Sequence, residues 1–284
     1  RDSKECPPRP LMLNFHGHHL LMQDVTFKDS PNHVLELYSD WTELAGVTVL
    51  APPSDSQVPV NGTVGPSHNT DAVDVHGSPF YIHHCRFDNG DDNVAVHGND
   101  LLVEDCYFGH GHGASIGSIS DQDIRNVTFR NIVFNRTTTA VRIKTRSRGR
   151  GSVRNCTWEN LVLHEVETSI EISQFYTQFY YQPTSKTKRV PQISDITVRN
   201  VTSFGKRNPE TGKRVHPGVV HCHKSSPCRD IRFEAIRHET DLPFDCHDAF
   251  GVQHDVRPAS SCLKTHLFDD GTADHGLSAS SLAF

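Results

Sequence analysis

Three carboxylates, one histidine and a pair of cations recur at a nearly constant interval in the middle of the chain. Asp91 and Asp92 are adjacent and follow Gly90. Asp71 lies 20 positions before Asp91, His112 lies 20 after Asp92, and Arg142 and Lys144 follow one interval later with a few residues inserted. Carboxyl groups held close together cannot all ionise comfortably, because each like charge raises the pKa of its neighbour. One carboxylic acid kept protonated beside carboxylates kept ionised is the combination that glycosidic cleavage requires. Neighbouring residues of a regular strand face opposite ways, so Asp91 and Asp92 share a cleft only at a bend, which Gly90 permits. Arg142 and Lys144, two apart, share a strand face. Two cations beside an acidic cluster suit a ligand that carries its own carboxylates. Each element alone has a plain structural reading: an acidic pair after glycine as a solvated turn, Arg-x-Lys as a solvated strand face, and a histidine between glycines as a loop cap. The case for chemistry rests on the shared interval, and hence on elements that stack.

Such elements are present. A six-residue pattern (apolar, two polar, small apolar, variable, apolar) begins at Met22, Leu44, Ile82, Val103, Ile124, Val153, Val198 and Phe233, with a base period near 21. The units are short, β-branched and alternating, with Gly, Asn and Asp between them, and no stretch holds a helical period over three turns. A leucine-rich repeat has a similar period, but its signature is absent. Strands returning at this period predict a parallel β-helix whose coils stack about 4.8 Å apart. Asp71, the Asp91-Asp92 pair, His112 and the Arg142/Lys144 pair then occupy four successive rungs of one face, a column roughly 14 Å long. Loops leaving the solenoid are expected at 51–70, 145–151, 177–192 and 205–217, which are rich in Ser, Pro, Thr, Lys, Arg and Gly. The expected organisation is one catalytic domain over 1–262 and a weakly structured tail over 263–284.

Composition narrows the partners. The 284 residues carry 28 Lys+Arg against 34 Asp+Glu, a net charge of −6, so a nucleic-acid footprint is not expected. No run of 18 apolar residues exists to cross a membrane as a helix. The 20 histidines, fully charged, would carry the net charge from −6 to about +14 as pH falls to about 5. That swing would favour a polyanionic partner in an acidic compartment. Cys222 and Cys228 bracket five residues, Cys246 and Cys262 lie in the same stretch, and Asn-x-Ser/Thr sequons stand at Asn61, Asn126, Asn135, Asn155 and Asn200. Local disulfide staples and sequons together predict a secreted chain.

Four ordered motifs resemble those of the polygalacturonases of glycoside hydrolase family 28: Asn69-Thr70-Asp71, Gly90-Asp91-Asp92, Gly111-His112-Gly113 continuing as Ala114-Ser115-Ile116-Gly117-Ser118, and Arg142-Ile143-Lys144. Gln174-Phe175-Tyr176 resembles the Gln-x-Tyr setting that follows them. The resemblance runs from about Arg9 to Cys262. It implies an all-β, right-handed parallel β-helix lacking here its N-terminal cap and first coils, and an extracellular, monomeric hydrolase of polygalacturonate or pectin. By this resemblance Asp91 is the general acid, Asp71 and Asp92 activate the attacking water, and His112 supports the acid. Asn69, Arg142, Lys144 and Tyr176 bind galacturonate. The family inverts configuration and uses no metal or other cofactor. Related readings are a hydrolase of xylogalacturonan or rhamnogalacturonan, and a carbohydrate-binding solenoid without catalysis.

The chain departs from the family pattern in places. Ala72 replaces a usual Gly, His97 stands where Lys is common, and Asn93 stands where many members have Cys. The resemblance therefore leaves Cys106 without its usual partner, stacked with Cys85 in the interior as free thiols.

Overall fold

Strands in this chain pair with strands a full coil away, and every pairing within the two large sheets is parallel. The computed structural model describes residues 9–53, 59–60, 63–64, 67–176 and 189–265. A nine-stranded sheet runs in chain order through Leu13–His18, Leu35–Asp40, Val73–Val75, Val94–Val96, Ala114–Ile119, Thr139–Thr145, Thr168–Ser173, His216–His221 and Asp245–His247. A thirteen-stranded sheet wraps the other sides. In the early coils it consists of separate short strands, such as Phe80–His83 and Arg86–Asn89. In later coils these merge into long bent strands, Leu101–His110, Asp123–Asn135, Ser152–His164, Gln192–Phe204 and Cys228–His238. The loop expected at 205–217 leaves between Phe204 and His216, and the one at 145–151 leaves between Thr145 and Ser152. Most of the expected loop over 177–192 lies outside the described residues, as does part of 51–70. The last described rung is Lys264–Thr265, and the rest of the expected tail lies outside the described residues.

Most of the bends fall at Asn and Asp residues with positive φ, a conformation these short polar side chains tolerate. Asp105, Asn131, Asn160 and Asn200 share one corner, with φ of 54, 56, 56 and 52°. Each Asn side chain donates to the one a coil earlier: Asn131 to Asp105 at 3.0 Å, Asn160 to Asn131 at 3.0 Å, and Asn200 to Asn160 at 2.8 Å. A second corner repeats this with Asn126 donating to Asp100 and Asn155 to Asn126. A backbone turn that stacks thus leaves its side-chain amides satisfied by their own copies.

The repeat register needs one correction. Val103-Glu-Asp-Cys106-Tyr-Phe108 pairs with Phe129-Arg-Asn-Ile132-Val-Phe134, not with the unit beginning at Ile124. The units at Ile124 and Val153 stand one corner earlier, paired with each other. The same Asn-centred bend occurs twice in Asp123–Asn135, at Asn126 and Asn131, and twice in Ser152–His164, at Asn155 and Asn160, so the six-residue pattern matches both corners.

Inward residues fill the coil centre. Phe87 stacks on Phe108 (5.6 Å), Phe108 meets Phe134 edge-on (5.3 Å), and Phe129 stacks on Trp158 (5.6 Å). Cys85 and Cys106 are buried free thiols, as expected, and the Cys85 N–H points to Cys106 Sγ at 3.4 Å; Cys156, not singled out in the sequence, is a third. Cys222 is bonded to Cys228 and Cys246 to Cys262.

Candidate active site

The outward face of the nine-stranded sheet gathers the predicted residues. Val73 pairs with Val94, and Val94 with Ala114, while Ala72 N–H donates to Asp92 O and Asn93 N–H to Gly113 O. The expected stacking of Asp71, Asp92 and His112 on successive coils follows. Ser115 pairs with Arg142, and Arg142 with Glu171, so the cations stand on the next coil but three or more residues further along the strand than the line of Asp71, Asp92 and His112, a correction to the single column expected from the sequence.

The turn at Gly90 is held by amide side chains. Asn89 Nδ2 lies 2.9 Å from the carbonyls of Thr70 and Asp91 and 3.0 Å from that of Asp92. Asn93, fully buried, donates to Asn89 Oδ1 at 2.7 Å and accepts from Gly113 N–H at 2.9 Å. An amide network thus occupies the place where a thiol was expected from the family. A Cβ on Gly90 would come within 2.3 Å of the Ser67 carbonyl oxygen, so only glycine lets the coil close there.

Asp91 and Asp92 take different partners. Asp91 Oδ2 accepts the Asn69 N–H at 3.1 Å, and Asp91 Oδ1 lies 2.9 Å from His112 Nδ1. Burial pushes the Asp91 carboxyl up, but the hydrogen bond and charge of His112, then Lys144 and the Asn69 N–H, outweigh it and hold Asp91 well below the carboxylate range. Asp92 is fully buried. Its Oδ1 accepts the Ser115 hydroxyl at 2.7 Å and Arg142 Nη1 at 3.3 Å, and its Oδ2 accepts Lys144 Nζ. Arg142 Nε also donates to Glu171 Oε2 at 3.1 Å. The Tyr176 ring lies under both cations, 5.8 Å from Arg142 and 5.2 Å from Lys144. Burial works against the Lys144 charge, yet Asp92 more than restores it.

Asp71 is the opposite case. Its side chain is buried, Oδ1 accepts no hydrogen bond, and the nearest cationic atom, His33 Nε2, is 3.5 Å away. Burial, followed by the charges of Asp91, Asp74 and Asp92, pushes its carboxyl well above the ordinary range against a smaller pull from His33. His33 Nδ1 sits 3.1 Å from Glu36 and 3.2 Å from Asp74. Asp74 first, then Asp71 and Glu36, raise His33 to about 9 despite its burial.

All eight predicted residues therefore meet on one patch. Asn69 contributes its backbone N–H to Asp91, while its side-chain oxygen accepts from Arg9 Nη2 at 3.1 Å. Sequence reasoning missed His33, Glu36, Asp74, Asn89 and Glu171. Asp74, three positions after Asp71, was the most accessible of these. His33 comes from the preceding coil across a long insertion and left no signal. Two groups bring potential ligand atoms within 4.8 Å of one another here, Asp91–Asp92–His112 and His33–Asp71–Asp74, and each is already joined by the contacts above.

The chain is similar to known proteins over most of its length. The chain is 31% identical over 215 residues to a probable endopolygalacturonase I of Aspergillus flavus, covering 74% of this chain and 54% of the relative. It is 27% identical over 277 residues to an exopolygalacturonase of Cochliobolus carbonum, covering 87% of this chain and 59% of the relative. The chain spans about half the length of the curated relatives it matches. Among solved structures, the polygalacturonase from Erwinia carotovora ssp. carotovora superposes with a TM-score of 0.64 at 25% identity, covering 81% of this chain and 56% of that one, and shares its right-handed parallel β-helix. The family model described as "Glycosyl hydrolases family 28" matches residues 1–249, and the chain belongs to that family.

Proposed function

We propose that this chain carries the catalytic column of a hydrolase that cleaves α-1,4-galacturonosyl bonds of polygalacturonan with inversion. The observation that carries this reading is the Asp91–His112 contact at 2.9 Å beside a second, separately held carboxylate, Asp92. In the free protein His112, Lys144 and the Asn69 N–H hold Asp91 ionised. A substrate that expels water and pairs its carboxylate with Lys144 shifts two influences toward the protonated form. Desolvation raises Asp91 further, and Lys144 no longer lowers it. Asp91, protonated in the bound complex, then gives its proton to the leaving oxygen. On the opposite side, Asp71 and Asp92 face the attacking water, with burial and the neighbouring carboxylates favouring the protonated form of Asp71. Asp92 accepts the proton of the attacking water. Arg142 and Lys144 present positive charge to the galacturonate carboxylate, with Tyr176 beneath them.

A second reading is favoured by one observation: Asp71 is the carboxyl whose pKa burial and the neighbouring carboxylates push up. In it Asp71 donates to the leaving oxygen, and Asp91 takes the proton from water.

The reaction itself is tested by NMR of polygalacturonate during its first turnovers. Inverting hydrolysis yields the β-anomer at the new reducing end, insensitive to chelators. Unsaturated products would indicate elimination, and no product with retained binding would indicate a binding solenoid. Secretion is also proposed. It is supported by the two disulfides that staple the C-terminal coils.

A further inference from the structure

The last described coils of the nine-stranded sheet carry a group of side chains that the proposed reaction does not use. Asp245 and His247, two apart on one short strand, lie on the exposed side of Cys246, and His247 pairs with His221 of the preceding coil. Both imidazoles converge on one carboxylate. His221 Nε2 lies 2.8 Å from Asp245 Oδ2, and His247 Nε2 lies 3.1 Å from Asp245 Oδ1. The two rings are 5.3 Å apart and inclined at 44°. One potential ligand atom from each of the three residues falls within 4.8 Å of the other two. Among the described residues, the ion-pair partners of Asp245 are these two histidines. Asp92 differs, since Arg142 and Lys144 already answer its charge. Lys144 pairs with Ser173, Ser173 with His221, and His221 with His247. The group therefore stands two and three coils beyond Lys144, about 10–14 Å away.

We propose that His221, Asp245 and His247 form a binding site for a divalent transition metal ion of the zinc type. Two imidazole nitrogens and one carboxylate suit such an ion better than they suit calcium or magnesium, which take oxygen ligands. Tetrahedral zinc holds nitrogen at about 2.0–2.1 Å, which sets two bound imidazole rings about 5 Å apart centre to centre and neighbouring ligand atoms about 3.3 Å apart. The ring separation already matches. The two oxygen–nitrogen contacts need to open by only about half an ångström or less. The scaffold is anchored from within, because Cys222 beside His221 is bonded to Cys228, and Cys246 between the other two ligands is bonded to Cys262. The Asp245 and His247 side chains are 48% and 49% exposed, which gives the ion a way in and leaves its fourth position to water. The ion cross-links the strands His216–His221 and Asp245–His247 and takes no part in hydrolysis.

The test is calorimetric titration of zinc chloride into the full chain, stripped by a chelator, at about pH 7, where unperturbed imidazoles are mostly neutral. One ion should bind tightly per chain, and cobalt(II) in its place should show the intense visible absorption of a four-coordinate centre. His247→Gln and Asp245→Asn each remove one ligand at an exposed position. Each should weaken binding by more than about 100-fold, since losing even an outer partner of a ligand costs about 10–100-fold. His33→Gln, which alters the separate His33–Asp71–Asp74 group, should leave zinc affinity unchanged. Zinc held as tightly by His247→Gln and Asp245→Asn as by the unsubstituted chain would overturn the site. So would loss of binding in His33→Gln alone, which would place the ion in the catalytic cluster, and so would the absence of zinc binding to the unsubstituted chain.

Discussion

The asparagine corner and the carboxylate column are built by the same stacking and reach opposite electrostatic outcomes. At the corner, Asn160 both donates to Asn131 and accepts from Asn200, so a repeated neutral amide satisfies its own copies. In the column the groups are charged and cannot repeat. Asp91 requires His112 and the Asn69 N–H, Asp92 requires Arg142, Lys144 and Ser115, and Asp71 is left with His33 at 3.5 Å. A periodic column is a stability device, because each rung pairs with the next. An aperiodic column of buried charges shifts neighbouring carboxyls in opposite directions, Asp91 down and Asp71 up, as acid–base chemistry requires.

The largest expected effect separates the two regions by function. Asp91→Asn should reduce hydrolysis of polygalacturonate by about 10²–10⁴-fold, the usual worth of a positioned acid. The thermal midpoint should barely move, since an amide still accepts the Asn69 N–H. A parallel loss of folding, seen by circular dichroism, would mean that Asp91 is a structural residue like the corner asparagines.

Next comes Asp92→Ala, which leaves Arg142 and Lys144 buried without their shared anion. A broken buried pair costs about 3–5 kcal/mol, to be read from denaturant midpoints. A cost below about 1 kcal/mol would show that water reaches the two cations and that the column is not a dry charge cluster.

At the corner, Asn160→Ala should cost about 3 kcal/mol, from the left-handed backbone strain of alanine and two lost side-chain bonds. Specific activity of the folded fraction should not change. Altered activity there would show that the corner and the column are coupled.

The smallest effect is a pH dependence. The folded pKa of His33 is raised to about 9, so its contribution to stability is complete below about pH 6.5 and fades as pH rises toward 9. His33→Gln should remove this slope from unfolding midpoints measured between pH 6 and 9. A slope that persists would belong to other groups.

The column was legible because parallel stacking turns a separation of 20 residues into contact between neighbouring coils. Asp71, Asp92 and His112 could be placed together from their numbers alone. Partners brought by insertions left no such trace: His33 reaches Asp71 across the unusually long interval between the coils starting at Leu44 and Ile82, and Arg9 reaches Asn69 over 60 positions. The repeat misled at Ile124 because one bend chemistry serves two corners. The same chemistry explains three sequons. In Asn126-Val127-Thr128, Asn155-Cys156-Thr157 and Asn200-Val201-Thr202, a left-handed Asn turns the chain, an apolar residue goes inward and a Thr follows it. Their side-chain amides are spent on the ladder, so these triplets speak for the fold and carry little weight for secretion.

The central claim, that Asp91 delivers the proton to the leaving oxygen, is tested most directly with a galacturonide bearing an activated phenolate leaving group. Such a group departs without protonation, so loss of the acid matters little for it. Asp91→Asn should lose at least about 10²-fold on polygalacturonate but less than about tenfold on the aryl substrate, whereas Asp71→Asn should lose activity on both. The reverse pattern, with Asp71→Asn spared on the aryl substrate and Asp91→Asn inactive on both, would contradict the account and make Asp71 the acid.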